Sequence, residues 1–318
     1  MKNKVSDKFI MYGVGRHAKF ILEFLKYQHL TDHIAGVCVS NTSENDEMFD
    51  RWKVLPYAEC RGEGLPFLIA VAPNSDAFNE IKKVLELNGN KYYSDVRSWE
   101  YDFGIDSYER DFVAYIHVNN SYYNQAERQD WQKTYWWLGS KFLRMFKQMN
   151  IERIVELACG HGRHVPEYWN ESINITLVDV LQENIDFCRQ RFVDKRNIVY
   201  VQNNGHDLSA LPDKSYSSLF TYDAMVHFEL MDVANYLAET QRILEPGGMA
   251  LFHHSNLDAN YRVSFQNNQH SRNFMNRKLF AYLAYRVGLE IVEQQVFDWG
   301  SGNDRWTDLD CLTLVRKP

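Results

Sequence analysis

Residues 153–163 read R-I-V-E-L-A-C-G-H-G-R, a short apolar run that ends in an acid and is followed by glycines two positions apart. A run of that length reads as a buried parallel strand, and Gly160 and Gly162 let the backbone turn sharply and approach a ligand before a helix begins. A G-x-G turn also occurs where nothing binds, so the residues downstream of the turn carry the decision. A second apolar strand, residues 175–178, ends in Asp179, roughly the separation at which doubly wound folds set an acid against a ribose hydroxyl.

Further motifs come in a telling order: Asn204-Gly205 with Asp207-Leu208, D-A-M-V-H-F at 223–228, P-G-G at 246–248, H-H-S-N at 253–256, R-N-F-M at 272–275 and D-L-D-C at 308–311. Together with Glu156, Gly160, Gly162 and Asp179 they resemble one bacterial subgroup of class I S-adenosylmethionine (SAM)-dependent methyltransferases, from about Tyr122 onward. The resemblance implies SAM as cofactor and an α/β doubly wound sheet with an antiparallel edge hairpin. It also implies roles. Asp179, expected to be exposed at its strand end, takes the ribose hydroxyls, and Asp207 takes the adenine amino group or caps a turn. Glu156 orders the loop through backbone hydrogen bonds, and the backbone at Tyr222 and Asp223 lies by the methionine part. Ala158 stands where most such enzymes have the first loop glycine, so that position is expected not to need positive φ.

The chain has 318 residues, enough for two separate cores. Residues 1–8 are polar and lysine-bearing, but the apolar run behind them is too short for a signal-peptide core, and no stretch reaches the length of a transmembrane helix. Five cysteines, odd in number and without C-x-x-C spacing, argue against a disulfide framework or a zinc site. A net charge of −7 leaves no global basic field for nucleic acid. These features fit a cytoplasmic enzyme of small or nucleotide-linked substrates, with a homo-oligomer left open.

The pattern divides the chain into three segments. Residues 1–100 read as a small Rossmann-like α/β domain. It has a strand at 8–12, a Gly13-Val14-Gly15 turn, a helix at 16–27 burying Phe20, Ile21, Phe24 and Leu25, and strands at 34–39, 66–72 and 92–93 around a helix at 76–87. The second strand runs into Ser40 and Asn41, where an NAD site would want an acid. The Y-G-V-G-R-H-A start and A-P-N-S turn resemble the domain that precedes some bacterial sugar acyltransferases and binds part of a nucleotide-sugar; a scaffold that binds nothing is the competing reading. Residues 101–149, rich in aromatics, read as a helical bridge in which Tyr123 matches the methyltransferase subgroup and could face the acceptor. Residues 150–318 alternate strand and helix, as a parallel sheet covered on both faces requires, and close with strands at 288–297 and 310–316.

Methyl transfer from SAM is a displacement at an activated carbon, so the protein must position the acceptor, take its proton and exclude water. Cys159 is therefore a packed residue rather than a nucleophile. His227, just past the fourth strand, is the expected general base, with His254 as runner-up. His253 and His254 point to opposite faces as strand neighbours, so at most one faces the site. Arg272, Asn273, Trp299 and Asp310, with His253, Asn256 and Tyr123, are the expected acceptor contacts, since Arg, Asn and Trp suit a polar, ring-bearing or phosphate-bearing molecule. No metal-ligand spacing is present, although Asp223, His254 and Asp310 could converge. A sugar O-methyltransferase leads; a non-catalytic SAM-binding scaffold, a methyltransferase of a non-sugar small molecule and an NAD-dependent oxidoreductase built on Gly13 and Gly15 stay as alternatives.

Overall fold

The structure is a computed structural model and describes residues 8–27, 29–43, 45–72, 75–94, 135–258, 268 and 271–318. The chain divides into two compact units, Met1–Tyr108 and Glu109–Pro318. Among the described residues, no helix is long and apolar enough to cross a membrane.

The first unit is built on β1 (Phe9–Tyr12), α1 (Arg16–Tyr27), β2 (Ile34–Val39), β3 (Met48–Phe49), β4 (Trp52–Pro56), α2 (Tyr57–Cys60), β5 (Phe67–Ile69), α3 (Asp76–Leu87) and β6 (Tyr92–Tyr93). Its sheet has the order β3-β4-β2-β1-β5-β6, parallel except for the β3–β4 pair. Strands leave β1 in both directions, so the reversal of strand order falls between β1 and β5, where Gly13 adopts a φ of 123°. Helix α1 buries Ile21, Leu22, Phe24 and Leu25, whereas Phe20, expected inside, is 38% exposed.

The second unit contains α4 (Lys141–Phe146), β7 (Arg153–Leu157), α5 (Val165–Tyr168), β8 (Asn174–Asp179), α6 (Gln182–Arg191), β9 (Ile198–Gln202), β10 (Tyr216–Thr221), α7 (Leu230–Ile243), β11 (Leu244–Ser255), α8 (Arg277–Arg286), β12 (Glu290–Trp299) and β13 (Trp306–Arg316). Its seven strands run β12-β13-β11-β10-β7-β8-β9. The five from β11 to β9 are parallel; β13 inserts antiparallel between β11 and β12. This is the expected doubly wound sheet with an antiparallel edge hairpin.

Strand alternation divides the core. Ile154, Ile175, Leu177, Phe220 and Leu251 face α4, α5 and α6, and pack with Phe142, Met145, Phe146, Tyr168 and Ile185. Val155, Leu157, Val178, Leu219, Ala250 and Phe252 face α7 and α8, against Val233, Leu237, Phe280 and Ala284. Because both faces are covered, the strands carry continuous apolar runs and their carboxyl ends form a single edge for ligands.

Candidate active site

The loop leaving β7 is shaped by left-handed backbone. Gly160 and Gly162 adopt φ of 54° and 70°, and so does Ala158, at 58°. The expectation that Ala158 avoids positive φ is overturned, and with it comes a cost of roughly 1–2 kcal/mol for a residue with a side chain. Turned this way, the chain brings the Cys159 amide onto the Val178 carbonyl at 3.1 Å, pinning the loop to β8. Glycine at 162 answers to packing as well: a Cβ there would lie 2.6 Å from Cε2 of Phe192.

Asp179, at the end of β8, organises this loop. Its Oδ2 accepts the Gly160 N–H at 2.8 Å, and its Oδ1 accepts the Leu181 N–H and the Asn184 side-chain amide, both at 3.0 Å. The carboxylate is buried rather than exposed as expected, and burial raises its carboxyl above the usual range despite those bonds. Glu156 lies buried beneath the loop. It takes the Tyr168 hydroxyl of α5 at 2.7 Å instead of loop amides, and burial pushes its carboxyl up to about 8. Asp207 sits in a turn after β9, where its oxygens accept the Ser209 N–H and the Asn204 side-chain amide, both at 2.9 Å. Those hydrogen bonds bring its carboxyl down to about 2. The capping role is thus present in the fold.

Across the carboxyl edge, Tyr222 packs among Tyr135, Phe142 and His253 with ring centroids 4.7, 4.7 and 4.6 Å away. Asp223 comes next in the chain, with a φ of 58°. Its N–H donates to Nδ1 of His253 at 3.0 Å, and its Oδ2 lies 3.3 Å from Nη2 of Arg163. Arg163 is a site residue that sequence reasoning misses; its place directly after Gly162 is the signal that could have found it. Nε2 of His253 meets Oδ2 of Asp310 at 3.0 Å. Arg272 binds the same carboxylate through Nε at 2.8 Å and Nη2 at 2.7 Å, with its guanidinium 4.7 Å from the Trp299 ring centre. Burial alone would raise the Asp310 carboxyl, but His253 and Arg272 outweigh it and hold the group well below the usual carboxylate range.

The two strand histidines do face opposite ways. His254 stacks on Phe280 of α8 at 4.0 Å, with Nδ1 on the Ser255 carbonyl and Nε2 on the Thr313 hydroxyl, both at 2.8 Å. Burial lowers its pKa to about 3. His254 is therefore not brought together with Asp223 and Asp310, and the three do not converge on a metal. Among the described residues, no group of three or more His, Cys, Asp or Glu could hold one.

His227 lies in a 3-10 turn, Met225–His227, after β10, and its Nδ1 donates to the Ser271 carbonyl. A carbonyl only accepts, so Nδ1 carries the proton and Nε2 carries the lone pair. Asn273 braces that turn: its N–H reaches the Val226 carbonyl at 2.9 Å, its side-chain amide donates to the Phe228 carbonyl, and Ser255 anchors it to β11. Asn256 donates to the Asp308 carbonyl at 2.8 Å and accepts the Arg277 N–H at 3.0 Å, tying β13 to the start of α8. Both asparagines thus spend polar atoms on the fold. Tyr123 lies outside the described residues.

The donor set fits a nucleoside carrying an amino-acid tail. An ordered carboxylate ends β8, an amide-rich turn comes after β9, and charged groups meet at the β7 and β10 ends. Residues 155–252 match the family model Methyltransf_11, a methyltransferase domain. The N-methyltransferase NodS from Bradyrhizobium japonicum WM9, solved with S-adenosyl-L-homocysteine, is 16% identical over 67% of this chain and 100% of its own, with a TM-score of 0.50. An S-adenosylmethionine-dependent methyltransferase from Mesorhizobium loti is also 16% identical, over 56% of this chain and 97% of its own, with a TM-score of 0.46. No curated protein matches the chain. At such identities the likeness to NodS is one of fold. Family match and fold agree: residues 155–252 match a methyltransferase domain, within a second unit that has the class I methyltransferase fold.

Proposed function

We propose that the protein is an O-methyltransferase acting on a sugar or nucleotide-linked intermediate of bacterial surface glycan biosynthesis, capsule or lipopolysaccharide, in the cytoplasm. SAM supplies a methyl group already activated on a sulfonium; the chain's own residues supply position and a proton acceptor. Arg163, Asp179, Asp207 and the turn at Tyr222–Asp223 hold the cofactor side. Nε2 of His227 takes the hydroxyl proton as the oxygen attacks, the step a sugar hydroxyl needs at neutral pH. The observation that carries the oxygen acceptor is the commitment of His227 Nδ1 to the Ser271 carbonyl, which leaves the basic lone pair on a single defined atom.

The first unit supports the nucleotide-linked substrate. Its parallel strands and the reversal of strand order beside Gly13 are the arrangement in which open α/β sheets receive nucleotides. A chain beginning at residue 109 should keep SAM affinity and show a raised KM for the acceptor; equal KM values would make the first unit a scaffold.

The test of the activity is release of S-adenosylhomocysteine with a panel of nucleotide-linked sugars, amines and proteins. Turnover confined to amines or proteins would overturn the oxygen acceptor. Tight cofactor binding without turnover on any acceptor would favour a regulatory SAM-binding module.

A further inference from the structure

Arg272 and Asp310, expected to reach the acceptor, spend their polar atoms inside the protein. Their bidentate pair is buried, with side chains 2% and 0% exposed. Apolar residues of like volume are often at least as stable as a buried charge pair, so the question for this one is what geometry it fixes. Here two chains of contacts lead out of Asp310, and each ends on a group next to the chemistry.

The first chain runs through His253. Oδ2 of Asp310 can only accept, so the contact at 3.0 Å places the imidazole proton on Nε2. Nδ1 is then an acceptor, and the Asp223 N–H fills it at 3.0 Å. Asp223 is held in the left-handed region, and its carboxylate in turn meets Arg163 of the β7 loop.

The second chain runs through Arg272. The peptide that joins Ser271 to Arg272 carries the carbonyl on which His227 Nδ1 rests, and Ser271 is itself left-handed, with a φ of 54°. Two parallel hydrogen bonds to Asp310 and the Trp299 ring beneath the guanidinium fix the orientation of Arg272. Asn273, the next residue, is fixed on Val226 and Phe228. The Ser271 carbonyl is thus held towards His227 by the two anchored residues that follow it.

The geometry points to Asp310 as a positioning residue that sets the cofactor turn at Asp223 and the tautomer of His227 together, holding two histidines in opposite tautomers from one carboxylate. His253 carries its proton on Nε2, His227 on Nδ1. The consequence for catalysis rests on the proposed role of His227 as base; the tautomers themselves do not.

The experiment uses the full chain with 15N-labelled histidine and S-adenosylhomocysteine as the ligand. Two-bond proton–nitrogen spectra report each tautomer, with His227→Asn and His253→Asn assigning the signals. In the wild type, His253 should show the Nε2–H pattern and His227 the Nδ1–H pattern. Asp310→Asn should turn the His227 signal into a tautomeric mixture and weaken S-adenosylhomocysteine binding by about tenfold or more, as expected for loss of a hydrogen bond to a charged group. If that variant does not fold, Arg272→Lys provides the measurement. It keeps the charge but loses the planar fork, and should shift the His227 pattern while leaving that of His253 in place. A folded Asp310→Asn or Arg272→Lys with the wild-type His227 pattern overturns the assignment. A shifted pattern in Asp310→Asn, combined with wild-type turnover in His227→Asn, would keep the positioning role and remove the base.

Discussion

Nε2 of His253 lies 3.0 Å from Oδ2 of Asp310, and both side chains are closed to solvent. With Nδ1 filled by the Asp223 N–H, both ring nitrogens are committed, and this imidazole cannot accept an acceptor's proton without breaking a buried hydrogen bond. His254 is committed in the same sense on the other face of the sheet. His227, with its Nδ1 on the Ser271 carbonyl just past β10, is the residue proposed as base.

His227→Asn should lower kcat by roughly 10²–10⁴-fold, the usual weight of acid–base catalysis, with little change in S-adenosylhomocysteine affinity. Single-turnover kinetics beside calorimetry separate the two. Lost affinity with unchanged turnover per bound cofactor would make His227 structural.

Asp179→Ala should weaken SAM binding and also destabilise the fold. The substitution orphans the Gly160 and Leu181 amides. Each such buried donor costs about 1–3 kcal/mol, and a lost charge-assisted bond to the ribose about 1.5–3 kcal/mol. Calorimetry and urea unfolding read the two effects; a variant that lost stability but kept wild-type affinity would restrict Asp179 to ordering the loop.

Glu156 gives stability a pH dependence of defined sign. Its folded pKa, about 8, lies above the unfolded value near 4.3, so between them the native state holds more protons. Stability from this group is fully present below about pH 4.3 and declines as pH rises towards 8, by at most roughly 1.4 kcal/mol per unit. The buried His254, lowered to about 3, works the other way, but its unfolded form is already half titrated at about pH 6.5 and adds only a small rise above it. Urea unfolding between pH 6.5 and 8 should therefore show a decline that Glu156→Gln flattens. A decline equally steep in the variant would place its origin elsewhere.

Ala158→Gly should be neutral to stabilising by up to about 1 kcal/mol, because relief of the left-handed penalty exceeds the entropy glycine adds to the unfolded chain. Ala158→Val should be destabilising by more than that, since a β-branched residue tolerates positive φ least. Equal stability of all three proteins in urea would mean that the loop relaxes at no cost.

The parallel strands are legible in the sequence because burial on both faces leaves uninterrupted apolar runs. Strand parity foretells the division between His253 and His254. Short elements escape: β3 and β4 are two and five residues long and carry no periodicity to read. Helical spacing points Phe20 inward, yet the buried face of α1 takes Leu22 instead. The conformation of Ala158 leaves no mark in the sequence, since alanine carries no turn signature. Nor can the pairing of Arg272 with Asp310, 38 positions apart, be foreseen; charged residues in loops suggest a ligand, and only the fold shows that they satisfy each other.

Strand β13 is made after every other strand of its sheet, yet it lies between β11 and β12. A nascent chain that has emerged only as far as β12 therefore presents β11 as an open, apolar edge, the kind of template that other chains add to. Entry of β13 then closes that edge, gives β12 its partner and delivers Asp310 to His253 and Arg272 in one event. Completion of the sheet and placement of Asp310 between His253 and Arg272 are the same step of synthesis, and a chain stalled short of β13 has neither.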